Sequence, residues 1–116
     1  MPVRTLPQDT PIRVVGDVHG DAIAFGYAAA TDRFVVQLGD LTDYGPDNAG
    51  VLRIMFRLID EGRGLFLLGN HDLKLARFLA GQPVRNENTL EPTLAQLDTD
   101  LRRRVVDEVA AAPAWL

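Results

Sequence analysis

Short apolar runs, each ended by a glycine, recur three times in the first 70 residues. The runs are IRVVG at 12–16, RFVVQLG at 33–39 and GLFLLG at 64–69. Runs of this length, rich in β-branched or aromatic residues, are typical of buried strands in a parallel sheet. Their final glycines lie 23 and 30 residues apart. Because that interval accommodates a strand, a crossover helix and turns, the pattern predicts βαβ units with parallel strands.

Helical patterns fill the two intervals between these runs. Segment 21–31 predicts a short helix despite Gly26, which costs roughly 1 kcal/mol relative to Ala in a helix interior. Segment 47–61 has apolar positions on one side and a polar stripe at helical spacing on the other, and Gly62 suits its C-terminal cap. Both segments are therefore predicted to be crossover helices.

The remainder of the chain is predicted to be helical. A third helix is expected over about 71–80, with Gly81 ending it. Four leucines then mark a fourth helical face, Leu90, Leu94, Leu97 and Leu101. Thr99 is the predicted cap of a last helix, which turns Leu101, Val105 and Val109 inward and stops at Pro113.

Composition narrows the class of protein. A chain of 116 residues suits a single domain over 1–116, and 47% apolar with 24% charged residues is typical of a globular fold. A net charge of −4 argues against a structural role on a nucleic-acid backbone, which requires clustered Lys and Arg. There is no cysteine, no signal-peptide pattern and no apolar run of membrane-spanning length. We therefore predict a cytoplasmic protein whose metal ligands, if any, are Asp, Asn and His.

Polar side chains follow each of the three glycines. The seven candidates are Asp17, His19, Asp40, Asp43, Asn70, His71 and Asp72, and they include both histidines of the chain. A Gly-Asp pair after one strand is commonly only a turn. Three such turns at the carboxyl ends of parallel strands meet at one edge of the sheet, where α/β proteins bind ligands. Together they predict a site for divalent ions that prefer oxygen and imidazole ligands.

The motifs GDVHG, GDLTDYGP and GNHD resemble the signatures of calcineurin-like metallophosphoesterases, in the phosphoprotein-phosphatase branch, over about 12–97. The longer stretch GNHDLKLARFLAGQPV is also similar to bacterial diadenosine-polyphosphate hydrolases and to the phosphatase module of bacterial RNA end-repair enzymes. The resemblance implies an α/β fold, the N-terminal half of an α/β/β/α sandwich. It also implies hydrolysis of a phosphomonoester or phosphoanhydride through a metal-bridging water.

By this resemblance, two divalent ions are expected, drawn from Mn, Fe, Zn, Ni and Mg. Asp17 and His19 would bind the first ion, Asp40 would bridge both, and Asn70 would bind the second. No histidine follows His71, although the family supplies two more from later strands. The second site is therefore expected to be incomplete. The domain as a whole is expected to be incomplete at its C-terminus, as a fragment, a truncated product or a chain completed by another chain.

The resemblance also assigns catalytic roles. His71 would be the general acid, Asp43 would orient it through a hydrogen bond, and Asp72 would support the same turn. Tyr44 stands where the family has an Arg that contacts substrate phosphate, and a phenol lacks that charged fork. It would contact substrate or pack at the mouth of the site. Three arginines are candidates to replace the missing cation, Arg53, Arg77 and Arg85.

Two classes of function stay open at this point. One is a metal-dependent phosphoesterase acting on a phosphoprotein, a dinucleoside polyphosphate or a nucleic-acid end. The alternative is a truncated or degenerate module that binds one metal or a partner with little catalysis, which Tyr44 and the missing histidines favour. A Rossmann nucleotide site is disfavoured because the chain has neither G-x-G-x-x-G nor a P-loop.

Overall fold

The computed structural model describes residue 6 and residues 9–113. Strands and helices alternate as β1 (Ile12–Val15), α1 (Ala22–Ala29), β2 (Phe34–Gln37), α2 (Asn48–Asp60), β3 (Gly64–Phe66) and α3 (Asn70–Leu79). A 3₁₀ turn (Glu87–Leu90), α4 (Glu91–Gln96) and α5 (Thr99–Ala111) follow. Within this part of the chain, no helix is long and apolar enough to cross a membrane.

The three strands form one parallel sheet in the order β1-β2-β3. Val14 lies opposite Val36, and Val36 lies opposite Leu65. Parallel neighbours need a crossover, and α1 and α2 provide the two crossovers. The predicted α/β class and parallel strands are thus confirmed, and all three strands end at the same edge of the sheet.

The hydrophobic core lies around the central strand β2. Val35 is fully buried, and it belongs to one apolar cluster with Met55 of α2 and Phe66 of β3. The inward side chains of α5 that were predicted from spacing, Leu101, Val105 and Val109, are buried in the same cluster. Burial of each large apolar side chain stabilises the fold by about 1.5–3 kcal/mol. The core therefore fixes the position of the strands from which the candidate side chains project.

Each strand is shorter than its apolar run predicts. The observed strands stop at Val15, Gln37 and Phe66, whereas the predicted runs continue to 16, 39 and 69. The backbone leaves the strand early because these last residues enter the turns that carry the polar motifs. The predicted helix ends are closer: Gly62 and Gly81 follow α2 and α3 with positive φ angles of 69° and 82°.

The C-terminal helical region differs from the prediction. The four leucines do not lie on one helical face, because Leu90 ends a 3₁₀ turn and Leu97 has extended backbone between α4 and α5. Thr99 is not the cap of α5. Asp98 is, since its side chain accepts a hydrogen bond of 2.8 Å from the Leu101 N–H. Leucine spacing alone could not reveal the break between α4 and α5 at Leu97. Because α4 is only six residues long, the leucines in and beside it still follow the spacing of a longer helix.

Apolar side chains remain exposed on β1 and α1. Val14 is 55% exposed, and Ile23 and Tyr27 of α1 are each 78% exposed. Among the described residues, β1 pairs with β2 alone and lies at the edge of the sheet. In the described part of the chain, three strands with their helices thus leave strand edge and apolar surface uncovered.

Candidate metal centre

The turns that follow the three strands are joined to one another by hydrogen bonds. The N–H groups of Val18 and His19 both donate to the Asp40 carbonyl, and Gly20 N–H donates to the Leu41 carbonyl. From the third turn, His71 N–H donates to the Asp40 carboxylate at 3.0 Å. The polar motifs therefore meet at the carboxyl edge of the sheet, as the parallel strands predict.

Asp17, His19 and Asp40 form a compact group of possible metal ligands. One ligand atom from each lies within 4.8 Å of the others. Asp17 is exposed, whereas His19 and Asp40 are partly buried. Two carboxylates and one imidazole are suitable donors for a first-row divalent ion. The donor set thus fits the first metal that the sequence predicts.

The tautomer of His19 also suits metal binding. Its Nδ1 lies 2.9 Å from the Thr42 carbonyl, which can only accept, so Nδ1 carries the proton and donates. Its Nε2 is left with a lone pair and lies 3.6 Å from Asp17 Oδ2. A metal-binding histidine commonly donates its second ring N–H to a backbone carbonyl in this way. The structure therefore presents His19 in the form that a metal ion requires.

Asp40 lies where the second and third turns approach each other closely. A Cβ on Gly69 would lie 2.5 Å from both the backbone nitrogen and Oδ1 of Asp40, so no larger residue fits there without movement. Gly39 is equally crowded by Gly69 and adopts a φ of 97°. Gly39 and Gly69, in the turns after β2 and β3, are thus required by this packing.

Asp72 ties the second and third turns together. Its buried carboxylate accepts hydrogen bonds from the N–H groups of Asp40, Leu41 and Gly69 at 2.8, 3.0 and 2.9 Å. Burial raises the pKa of the Asp72 carboxyl above its usual range, against the lowering effect of the three N–H donors. This carboxylate supports the backbone on which Asp40 depends.

His71 is oriented by a chain of hydrogen bonds. Its Nδ1 donates to Asp43 Oδ2 at 2.7 Å, and the hydroxyl of Thr93 donates to Asp43 Oδ1 at 2.6 Å. Asp43 and Thr93 are both fully buried. Asp43 N–H in turn donates to the side chain of Asn48. Both carboxylate oxygens of Asp43 are therefore occupied, and the direction of the His71 ring is fixed from behind.

We expect Thr93→Val to destabilise the protein by about 1–3 kcal/mol, because Asp43 Oδ1 would be left buried without its donor. Valine has nearly the shape of threonine, so loss of packing contributes little. The unfolding free energy from urea titration measures the effect, and Thr99→Val at an exposed position is the matched control. An equal loss in the two variants would show that the Thr93 hydroxyl has no special role.

Strained backbone is concentrated at this site. Among the described residues, five that are not glycine have positive φ, and four of them carry the motifs: His19, Asp40, Asp43 and Tyr44, at 43°, 57°, 73° and 69°. The fifth, Asn86, tolerates this conformation well. Such residues cost about 1–3 kcal/mol each and persist where surrounding structure imposes them, commonly at functional sites.

Tyr44 lies at the mouth of the site, where its side chain is 73% exposed. Its ring contacts both histidine rings edge-on, at centroid distances of 5.5 Å to His19 and 5.2 Å to His71. The two histidine rings are themselves 4.9 Å apart. Tyr44 therefore occupies the entrance as an aromatic surface with a hydroxyl, in place of a cation.

Asn70, the predicted ligand of a second metal, is the first residue of α3. It is exposed, and its neighbours Gly69 and His71 both contact Asp40.

Of the three arginines considered as replacement cations, Arg53 lies elsewhere, beside Asp98 at 3.9 Å. Arg77 and Arg85 line a groove that also includes Asn70.

Several buried polar residues of the site were not predicted. Thr93 and Asn48 support Asp43, and Gln37 binds the Gly16 and Gly39 carbonyls through Nε2 at 3.1 and 2.6 Å. Gln96 Oε1 accepts from Asn48 N–H at the start of α2. Gln37 is a polar residue within an apolar strand run, and that pattern could have indicated a buried polar contact. Thr93 lies 50 residues from Asp43, and nothing local in the sequence marks it.

Comparison with known proteins identifies the family. The model of the calcineurin-like phosphoesterase family matches residues 10–108. An asymmetrical bis(5'-nucleosyl)-tetraphosphatase PrpE from Oceanobacillus iheyensis is 33% identical over 99 residues, which cover 73% of this chain and 40% of the relative. A symmetrical bis(5'-nucleosyl)-tetraphosphatase from Ralstonia nicotianae is 40% identical over 74 residues, covering 63% of this chain and 25% of the relative.

Solved structures show the same fold. A protein provisionally assigned as a diadenosine tetraphosphatase superposes with a TM-score of 0.61 at 29% identity, covering 86% of this chain and 44% of the other. A metallophosphoesterase from Sphaerobacter thermophilus superposes with a TM-score of 0.54 at 20% identity, covering 83% of this chain and 39% of the other. The chain therefore has part of the metallophosphoesterase fold and spans less than half the length of these relatives. With three motif turns joined at one sheet edge and a family match over most of its length, this chain belongs to the calcineurin-like phosphoesterases.

Proposed function

We propose that this chain acts as a metal-dependent phosphoesterase on the phosphoanhydride bonds of dinucleoside polyphosphates. The observation that carries the proposal is the Asp17, His19 and Asp40 group, which lies beside the Asp43 and His71 pair. The names of the relatives, bis(5'-nucleosyl)-tetraphosphatases, favour an anhydride substrate over a phosphoprotein or a nucleic-acid end.

The residues of the chain divide the chemistry between them. Asp17, His19 and Asp40 would hold a divalent ion, and Asn70 together with Asp40 would contribute to a second. A divalent ion in such a site supplies Lewis-acid stabilisation to a phosphoryl group. Candidate ions are Mn, Fe, Zn, Ni and Mg, all of which accept oxygen and imidazole ligands.

His71 is the proposed general acid. Asp43 accepts a hydrogen bond from His71 Nδ1. The other ring nitrogen, Nε2, is therefore the one that would give a proton to the departing oxygen. The Asp43 carboxylate fixes the direction of the His71 ring through this hydrogen bond, and Thr93 keeps that carboxylate in place. The edge-on ring of Tyr44 restricts access to His71 and offers a phenol to the substrate.

The proposal predicts hydrolysis of diadenosine tetraphosphate that requires a divalent ion and His71. Product formation by the purified chain with Mn²⁺ should stop on chelation, and His71→Asn should reduce the rate by about 10²–10⁴-fold, the usual loss of general acid catalysis. Asp32→Asn, at an exposed position, is the control and should leave the rate unchanged. Hydrolysis that survives chelation, or that is equal in His71→Asn, would contradict the proposal.

A second candidate function is a metal-binding module with little turnover. The observation that favours it is Tyr44, which is exposed where the resemblance expects a phosphate-binding Arg. Such a module would bind one divalent ion through Asp17, His19 and Asp40 but would not hydrolyse diadenosine tetraphosphate. Metal binding and product formation, measured on the same sample, separate the two functions.

A further inference from the structure

A groove runs along one face of α3, starting at Asn70. Its volume is about 420 Å³, and its walls are Asn70, Leu73, Lys74, Arg77, Pro83, Val84 and Arg85. The four residues from α3 have the spacing of one helical face. At a rise of 1.5 Å per residue, Arg77 is about 10 Å along the helix axis from Asn70. The groove therefore begins at a candidate metal ligand and extends two helical turns from it.

The groove is positively charged, whereas the chain as a whole is acidic. Three of its seven lining residues are cationic and none is a carboxylate, although the chain has a net charge of −4. Arg77 and Arg85 are exposed, and neither forms an ion pair or a side-chain hydrogen bond with any described residue. By contrast, Arg63 and Arg104 are both paired with carboxylates. The two groove guanidinium groups are thus free to bind an anion.

Lys74 fixes the far wall of the groove. Its Nζ donates to the Asn86 carbonyl and to Thr89 Oγ1, both at 2.7 Å. These bonds attach the segment that carries Arg85 to α3, so that Arg85 and Arg77 line the same groove. The hydrogen bonds of Lys74 thus hold the backbone of the segment that carries Arg85 beside α3, which carries Arg77.

We propose that this groove binds the remote phosphates of an oligophosphate substrate while another of its phosphates is at the metal centre. The proposal rests on the proposed function and names the part of the chain that would select its substrate. Arg guanidinium groups bind phosphate oxygens through paired, charge-assisted hydrogen bonds. A phosphomonoester has no second phosphate to reach the groove, so the groove favours nucleoside and dinucleoside polyphosphates.

The position of the groove also compensates for Tyr44. The mouth of the site lacks a cation where the family resemblance expects one, and Tyr44 offers only a phenol. Arg77 and Arg85 line the groove that Asn70 also lines, and Tyr44 is not among its walls. They can hold a longer anion that extends past Asn70. Because the cations lie in the groove and not at the mouth, the arrangement favours extended polyphosphates.

The test is binding of inorganic tripolyphosphate to the full chain by isothermal titration calorimetry, with a chelator present so that no metal contributes. The double variant Arg77→Gln/Arg85→Gln should bind at least about 10-fold more weakly, since each charged hydrogen bond lost costs about one decade or more. Arg103→Gln, an exposed α5 residue outside the groove, is the control and should bind as the wild type does. Inorganic monophosphate should bind far more weakly than tripolyphosphate.

Three results would overturn the groove assignment: no tripolyphosphate binding, equal binding by the double variant, or equal loss in Arg103→Gln. A short single-stranded oligonucleotide that competes as well as tripolyphosphate would overturn the oligophosphate class in favour of a nucleic-acid strand. Circular dichroism spectra of the double variant should match the wild type, because neither arginine side chain forms a hydrogen bond or ion pair with a described residue. Because this binding needs neither metal nor turnover, failure of the proposed hydrolysis is detected separately, by the diadenosine tetraphosphate assay.

Discussion

Asp40→Asn is expected to weaken divalent-ion binding by at least about 100-fold while leaving the fold intact. Loss of residues that merely support a metal ligand already costs 10–100-fold, and Asp40 is placed in the ligand group itself. The amide keeps one oxygen that can accept from His71 N–H, which Asp40 Oδ1 accepts at 3.0 Å. Asparagine also tolerates the positive φ of 57° at this position. The substitution therefore removes charge with little change in shape.

Competition titration with a chromophoric chelator and Mn²⁺ or Zn²⁺ measures this loss. Asp32→Asn makes the same chemical change at an exposed residue outside the ligand group and should bind metal as the wild type does. The far-UV spectra and urea midpoints of the two variants should agree. If Asp40→Asn bound the metal ion with wild-type affinity, Asp40 would not be a ligand of the metal centre.

Asp72→Ala is expected to lower the unfolding free energy by about 3 kcal/mol or more. Its carboxylate accepts hydrogen bonds from three backbone N–H groups, those of Asp40, Leu41 and Gly69. Alanine offers no acceptor, and a buried donor left unpaired costs about 1–3 kcal/mol. A domain of this size has a total stability of about 5–15 kcal/mol, so a large fraction would be lost. Asp72 is 4% exposed, which limits replacement of the carboxylate by water.

Urea denaturation at neutral pH gives the change in unfolding free energy for Asp72→Ala. Asp32→Ala is the matched control and should differ from the wild type by less than about 0.5 kcal/mol, as surface substitutions usually do. A loss below about 1 kcal/mol in Asp72→Ala would show that the three N–H groups find other partners. In that case Asp72 would not be the support of the second and third turns.

The parallel sheet and the meeting of the motifs were predictable because both follow from local patterns. Apolar runs ended by glycine predict strands, and crossover-length intervals predict that they run parallel. Once the strands are parallel, the residues after Gly16, Gly39 and Gly69 must lie at one edge. The contact between Asp43 and His71, implied only by the family resemblance, is present at 2.7 Å.

The supporting contacts were not predictable, because they depend on how distant helices pack. The contact of Thr93 with Asp43 requires α4 to pack in its observed position. The extended backbone at Leu97 separates α4 from α5. Four leucines at helical spacing fit one long helix as well as two short ones. The basic groove depends likewise on Lys74, which binds the segment carrying Arg85. Sequence spacing indicates which residues can share a face, but tertiary hydrogen bonds determine which faces meet.

The most direct test of the metal centre is ¹⁵N NMR of the two histidine side chains during titration with Zn²⁺. The chain has only His19 and His71, so His71→Asn assigns both rings. Before metal, His19 should carry its proton on Nδ1, because that atom donates to the Thr42 carbonyl. Saturating Zn²⁺ should shift His19 Nε2 to the metal-bound range in the wild type and not in Asp40→Asn. An unchanged His19 Nε2 at saturating Zn²⁺, or a shift at Nδ1 instead, would contradict a metal centre formed by Asp17, His19 and Asp40.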